Sequence, residues 1–267
     1  MFCPANSVQW WAVAYNFLPT GKSEWGLRIG RSAGMVGVQG EVMGRRRAWL
    51  SWSSGKDSAW SLEVVRSQGE YKVEALLTTV NAEYQRVAMH AVRESLLRAQ
   101  AESAGIPLVT VPIPYPCPNE AYEKAMGLAI SRARAEGITH MIFGDLFLED
   151  IRRYREEKLL GTGITPVFPL WGHDTRRLAE EMVDGGLRAL LTCVDPSKLD
   201  ASFAGRCFDA DLLADLPADV DPCGENGEFH TFAFQGPMFR SPIKAVPGVT
   251  VERDGFVFAD VLPRLAN

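Results

Sequence analysis

Ser53-Ser54-Gly55-Lys56-Asp57-Ser58 decides how this chain is read. An apolar run, Ala48-Trp49-Leu50-Ser51-Trp52, precedes it, and a helical pattern, Ala59-Trp60-Ser61-Leu62-Glu63-Val64-Val65, follows. Strand, tight polar loop and helix in that order make an anion site. Loop amides and a helix N-terminus converge on one spot, and the helix dipole adds partial positive charge there. The ligand this suggests is the pyrophosphate part of ATP.

Working outward, strand and helix patterns alternate from Arg47 onward. Ala48–Trp52, Val73–Val80, Pro107–Ile113, His140–Phe143, Thr165–Phe168 and Ala189–Val194 read as strands. Ala59–Ser67, Val92–Ala104, Asn119–Ala135 and Arg177–Asp184 read as helices, with Gly105 and Gly137 closing two of them. The alternation predicts an α/β fold: a doubly wound, mostly parallel sheet with helices on both faces. Ligands in such sheets sit outside the carboxyl edge of the strands, at the switch point. We assign residues 46–194 to this unit and 195–267 to a smaller C-terminal substrate-binding lobe, because the alternation stops after Asp195. There Leu199–Leu216 reads as one or two short helices, followed by a turn-rich link, the segment Gly224–Phe232 and an apolar tail. Residues 1–45 lack either period and are set apart as an extension. Two readings of it stand: a loosely ordered segment, or a stretch upstream of the true start at Met43-Gly-Arg-Arg-Arg-Ala-Trp-Leu.

Bulk properties narrow the class. The 267 residues suffice for one large domain or one and a half, and 46% apolar residues supply a core. A formal charge of −5, from 28 basic and 33 acidic residues, gives no global attraction to nucleic acid or anionic membrane. No apolar run approaches the ~20 residues of a bilayer span, and the Trp10–Ala14 stretch lacks a basic start and is soon broken by Asn16. Five dispersed cysteines, none in a CxxC pair, read as reduced thiols of a cytoplasmic protein.

The loop is neither of the common nucleotide motifs. A Walker A loop needs Ser or Thr after its lysine, and Lys56 is followed by Asp57; no GxGxxG follows the first strand. In what remains, Gly55 lets backbone approach phosphate. Ser53, Ser54 and Ser58 offer hydroxyls, Lys56 a point charge, and Asp57 a carboxylate that orients the loop or holds Mg²⁺. The plain alternative is a surface turn capped by Asp57 or Ser58; its place after the first strand weighs against that. The loop resembles the pyrophosphate-loop signature SGGxDS of the adenine-nucleotide alpha-hydrolase-like superfamily, with Ser54 where glycine is usual. The resemblance implies ATP cleavage between the α and β phosphates and adenylation of a substrate oxygen.

A second motif, Cys223-Gly-Glu-Asn-Gly-Glu-Phe-His-Thr231, resembles the C-terminal signature of the diphthine–ammonia ligase family. Arg86-Val-Ala-Met-His90, Gly144-Asp145 and Phe168-Pro-Leu-Trp171 fall where that family has similar segments, so the likeness covers roughly residues 46–240. It implies an ATP- and Mg²⁺-dependent carbon–nitrogen ligase that activates a carboxylate as its adenylate for attack by ammonia or an amine. Ser53–Ser58, His90, Gly144 and Asp145 would contact the nucleotide. Glu225, Asn226, Gly227, Glu228 and Thr231 would read the substrate, and Lys56, Asp57, Glu228 and His230 would carry the chemistry. The family pattern is closer to Glu-Gly-Gly-Glu-Tyr-Glu-Thr; Asn226 and His230 depart from it where a substrate would be read. Taken alone, His90 reads as a packed or capping histidine, and Asp150–Lys158 as a solvated helix face of alternating charge from which one arginine can reach a phosphate or carboxylate. Competing readings are a tRNA-modifying enzyme of the same superfamily and a nucleotide-binding protein without turnover.

Overall fold

The computed structural model describes residues 44–83, 86–87 and 92–264. All but the last two residues of the 1–45 extension, and His90, lie outside that set. Five parallel strands form the first sheet: β1 (Arg46–Ser51), β2 (Tyr71–Asn81), β4 (Leu108–Ile113), β5 (His140–Ile142) and β6 (Thr165–Val167). The two-residue β3 (Arg86–Val87) pairs antiparallel with the end of β2. Spatial order is β4-β2-β1-β5-β6. The chain moves outward from β1 through β2 to β4, then returns to the other side of β1 for β5. The switch point therefore lies between β1 and β5, and the loops leaving those two strands flank the crevice.

Helices α1 (Lys56–Gln68), α2 (Glu94–Ala104), α3 (Asn119–Ala135) and α4 (Glu149–Leu159) cover the sheet. Alternate residues of β1 enter two different cores. Ala48 and Leu50 join Leu62 of α1 and Leu96 and Leu97 of α2, whereas Trp49 joins Ala129 and Ala133 of α3 and Leu159 of α4. Both faces are thus dry, which is why these strands read as near-continuous apolar runs. The predicted helix at Asn119–Ala135 is found with the same bounds, and Gly105 ends α2 in the left-handed region at φ 67°.

After α5 (Thr175–Asp184) the architecture changes. Strand β7 (Arg188–Val194), which the alternation assigns to the parallel sheet, pairs instead antiparallel with β8 (Cys207–Phe208), β9 (Phe229–Gln235) and β11 (Phe256–Pro263). Hairpin partner β10 (Ala245–Arg253) completes this second, five-stranded sheet. Residues 189–194 are all buried, so the apolar run looks like a parallel strand although its neighbours run the other way. Between β7 and β9 lie a 3₁₀ turn, Ala201–Phe203, and α6 (Ala210–Asp215), inside the range predicted for short helices. The two sheets share one core, since Leu50, Leu178, Leu191, Phe208 and Phe232 belong to the same buried cluster. Among the described residues, no helix is long and apolar enough to cross a membrane.

Candidate active site

The chain leaves β1 and turns at Ser54, whose φ is +71°. That left-handed conformation costs an L-residue about 1 kcal/mol or more, which accounts for the glycine usual in the signature. Ser54 is fully buried, and its Oγ has no hydrogen-bond partner among the described residues. Its carbonyl is better served, accepting from Ala233 N on β9 at 2.9 Å and from Gln100 Nε2 on α2 at 3.0 Å. Gln100 also donates to Ala233 O (2.6 Å) and accepts from Trp52 Nε1 (2.9 Å). Ser53 Oγ accepts from Gly55 N at 3.3 Å and lies 3.2 Å from Ser58 Oγ, which donates to Gly55 O at 3.0 Å. Thr231 Oγ1 accepts from Lys56 N at 3.1 Å. So the amides of Gly55 and Lys56 are held within the protein.

Lys56 does not reach out as a point charge. Its side chain is buried, and Nζ donates to both carboxylate oxygens of Asp57 at 2.8 Å and to Cys223 O. The rings of Phe208 and Phe229 each stand 5.7 Å from it. Burial works against the ammonium, but Asp57, with Cys223 and Glu225, holds Lys56 above its ordinary value. Lysine thus ties the loop to the Cys223–Gly224 segment.

That segment folds on itself. Gly224 N donates to Asp221 O (2.8 Å) and Gly227 N to Gly224 O (3.1 Å). Both glycines have positive φ, 68° and 83°, and a Cβ on Gly224 would stand 3.0 Å from the Phe229 ring. Buried Glu228 braces the turn: Oε1 accepts from Asp221 N (3.1 Å) and Asn226 Nδ2 (3.2 Å). Asp221 Oδ2 accepts from Glu225 N at 2.7 Å. Glu225 alone of these acids reaches the first sheet, where its Oε1 accepts from Leu146 N at 3.1 Å. Burial first, and Asp57 second, push the Glu225 carboxyl up to about 8.

The loop after β5 closes the site. A Cβ on Gly144 would sit 3.0 Å from both Asp57 C and Ser58 N, so glycine is needed where this loop crosses the start of α1. Asp145 faces Arg155 of α4 at 3.6 Å. Burial opposes the Arg155 charge, yet Asp145 holds its pKa above the ordinary value.

The structure therefore brings Ser53–Ser58, Gly144, Asp145, Glu225 and Thr231 together around the switch point. Asn226, Gly227 and Glu228 serve the turn. His230 does not join them: neighbouring side chains on a strand leave opposite faces, and Thr231 takes the one toward Lys56 N. The register of β9 places His230 beside Cys193 of β7 instead. Gln100 escaped sequence reading; its signal was a glutamine among Leu96, Leu97, Ala101 and Ala104 on the apolar face of α2. Among the described residues, no trio of His, Cys, Asp or Glu side chains is arranged to hold a metal ion. Asp57, whose two carboxylate oxygens both accept from Lys56 Nζ, offers one carboxylate of the kind Mg²⁺ takes together with ligand phosphates.

Fold and loop together define an α/β protein with a tight polar loop at its switch point. Two family models match the chain, the diphthamide synthase N-terminal domain over residues 46–160 and the diphthamide synthase C-terminal domain over residues 174–257. Among curated proteins it resembles a diphthine–ammonia ligase of Bos taurus, 25% identical over 240 residues, covering 78% of this chain and 86% of the relative. It also resembles a diphthine–ammonia ligase of Danio rerio, 32% identical over 120 residues, 43% of this chain and 47% of the relative. The chain belongs to the diphthamide synthase family, and is accordingly an enzyme of the ATP-dependent, amide-forming ligase class.

Proposed function

We propose that the protein joins ammonia or an amine to a carboxylate through an acyl adenylate. A carboxylate oxygen attacks the α-phosphorus of ATP, the Pα–O–Pβ bond breaks, and pyrophosphate leaves. Nitrogen then attacks the acyl carbon, AMP departs, and the new ammonium loses a proton. The observation that carries this reading is the docking of the C-terminal signature on the loop, with Thr231 on Lys56 N and Glu225 on Leu146 N. It brings a buried carboxyl to the loop after β5, beside the start of α1.

In this reading the first turn of α1, with Ser53 and Ser58, receives the pyrophosphate. Asp57 would hold Mg²⁺, which supplies charge neutralisation for the leaving group. Asp145, at the carboxyl edge of β5, and His90 read the nucleotide. Glu225, pushed up to about 8 by burial and by Asp57, keeps its proton at neutrality and would donate a hydrogen bond in the site, while the proton that nitrogen releases passes to solvent. Lys56, Glu228 and Thr231 are positioning residues. His230, on the other face of β9, has no part in the chemistry. The cysteines favour this over a thiol-dependent tRNA-modifying reading: burial pushes Cys193 up to about 12 and Cys207 up to about 11, and raises Cys117 and Cys223 as well. The four described thiols, dispersed and unpaired in disulfides, also suit a cytoplasmic setting.

The test is product analysis of ATP turnover with candidate carboxylates and ammonium, using Asp57→Ala as the inactive control. AMP and pyrophosphate are expected; ADP and phosphate would overturn the adenylation mechanism.

A further inference from the structure

A buried glutamine closes the junction between the two sheets. Among the described strands β9 pairs with β7 alone, so one of its edges is left for other partners. A buried sheet edge must find partners for its N–H and C=O groups. At Ala233, itself fully buried, both come from the side of the first sheet. Ala233 N donates to Ser54 O at 2.9 Å, and Gln100 Nε2 donates to Ala233 O at 2.6 Å. The same nitrogen donates to Ser54 O at 3.0 Å.

The amide can take only one orientation. An indole N–H donates and never accepts, so the atom 2.9 Å from Trp52 Nε1 is the Gln100 oxygen. The two groups left to Nε2 are carbonyls, which only accept. Trp52 is pinned in turn, its carbonyl accepting from Thr78 Oγ1 of β2 at 2.7 Å. Gln100 is fully buried, so it touches no ligand. A glutamate of the same length would set oxygen against both carbonyls.

What the clamp holds is a peptide plane. Ser54 O and Gly55 N belong to one planar unit, so fixing the carbonyl fixes the direction of the amide. Gly55 N donates to Ser53 Oγ at 3.3 Å, Ser53 Oγ lies 3.2 Å from Ser58 Oγ, and Ser58 Oγ donates to Gly55 O at 3.0 Å. The path from Gln100 to the two serine hydroxyls is therefore unbroken. It also gives a reason for the left-handed turn at Ser54, which aims that carbonyl at β9 and Gln100.

We propose that Gln100 is a positioning residue for the phosphate end of the nucleotide: it sets the Ser54–Gly55 peptide and, through it, the hydroxyls of Ser53 and Ser58. This rests on the reading of Ser53–Ser58 as the pyrophosphate site.

The test is calorimetric titration of the full chain with ATP and with AMP, Mg²⁺ present throughout, and thermal unfolding of each variant beside it. AMP lacks the β and γ phosphates, so the ratio of the two affinities reads the pyrophosphate site. The parent is expected to prefer ATP. Gln100→Met keeps length and packing but removes the hydrogen bonds, and should cut that preference about tenfold, the scale of one buried hydrogen bond. Gln100→Glu should cut it further. Trp52→Phe leaves Gln100 in place without its donor and should lose part of the preference; where the Gln100 variants do not fold, this variant decides. Ile138→Ala, in the core on the other face of the first sheet, should lose stability and keep the preference. An intact preference in folded Gln100→Met, or an equal loss in Ile138→Ala, would overturn the positioning role. A parent that binds ATP no better than AMP would instead strike the pyrophosphate site itself, and the role of Gln100 with it.

Discussion

The loop at 53–58 and the turn at 221–228 meet in one site, and both are polar and built around glycine. They are made on opposite plans. The turn is held from within, by Asp221, Asn226 and Glu228 bonding to its own backbone and to one another. The loop is held largely from outside, by Ala233 and Gln100 on the carbonyl of Ser54 and by Thr231 on the amide of Lys56. The phosphate-loop sequence is thus only part of a phosphate loop. Its shape is imposed by a strand some 175 positions away, to which Lys56 adds a buried tie.

Removing that tie should show the largest effect. Lys56→Met leaves Asp57 and the Cys223 carbonyl without their buried partner, and ~3–5 kcal/mol of stability should be lost. Denaturant unfolding checks this; a variant as stable as the parent would mean that lysine is a free ligand arm and that the loop is self-sufficient.

Next comes the one acid the turn lends to the first sheet. Glu225 ionises at about 8 in the folded chain against an ordinary 4.5. Between those values the folded state keeps a proton that the unfolded state releases, so stability should fall as pH rises across that window. Melting temperatures from pH 5 to 9 should decline less steeply in Glu225→Gln than in the parent. Parallel profiles would remove Glu225 from the buried position described.

Thr231→Val tests the outside support directly. It strips the acceptor from a buried amide, at a cost of ~1–3 kcal/mol, and should weaken ATP binding measured by calorimetry although Thr231 lies far along the chain from the loop. Unchanged affinity would break the comparison. The smallest effect has the opposite sign: Ser54→Gly relieves the left-handed strain and deletes a buried, unpartnered hydroxyl, so the melting temperature should rise by an amount corresponding to ~1 kcal/mol.

Much of the first sheet was legible in the sequence because its strands and helices alternate over short spans and each carries a clear period. The switch point and the position of the loop followed from that order. The second sheet was harder for a physical reason. Its strands pair across long separations, Arg188 with Gln235 and Val194 with Val257, and nothing local in Phe229-His-Thr-Phe-Ala-Phe-Gln235 announces its neighbour. The same limit explains the site. Which way Lys56 points depends on a carbonyl at Cys223, and which side of β9 faces the loop decides between Thr231 and His230. Residue types suggested the chemistry; which of them meet at the switch point depends on tertiary placement.

The bond from Ala233 N to Ser54 O has a consequence in time. A ribosome making this protein releases Ser53–Ser58 early and β9 late. A nascent chain that has emerged as far as β6 carries every strand of the parallel sheet, yet neither Ala233 nor Thr231 is there to set the loop, and the carbonyl that anchors Lys56 is still unmade. Chains released before β9 therefore lack the bonds that set this loop in the finished fold.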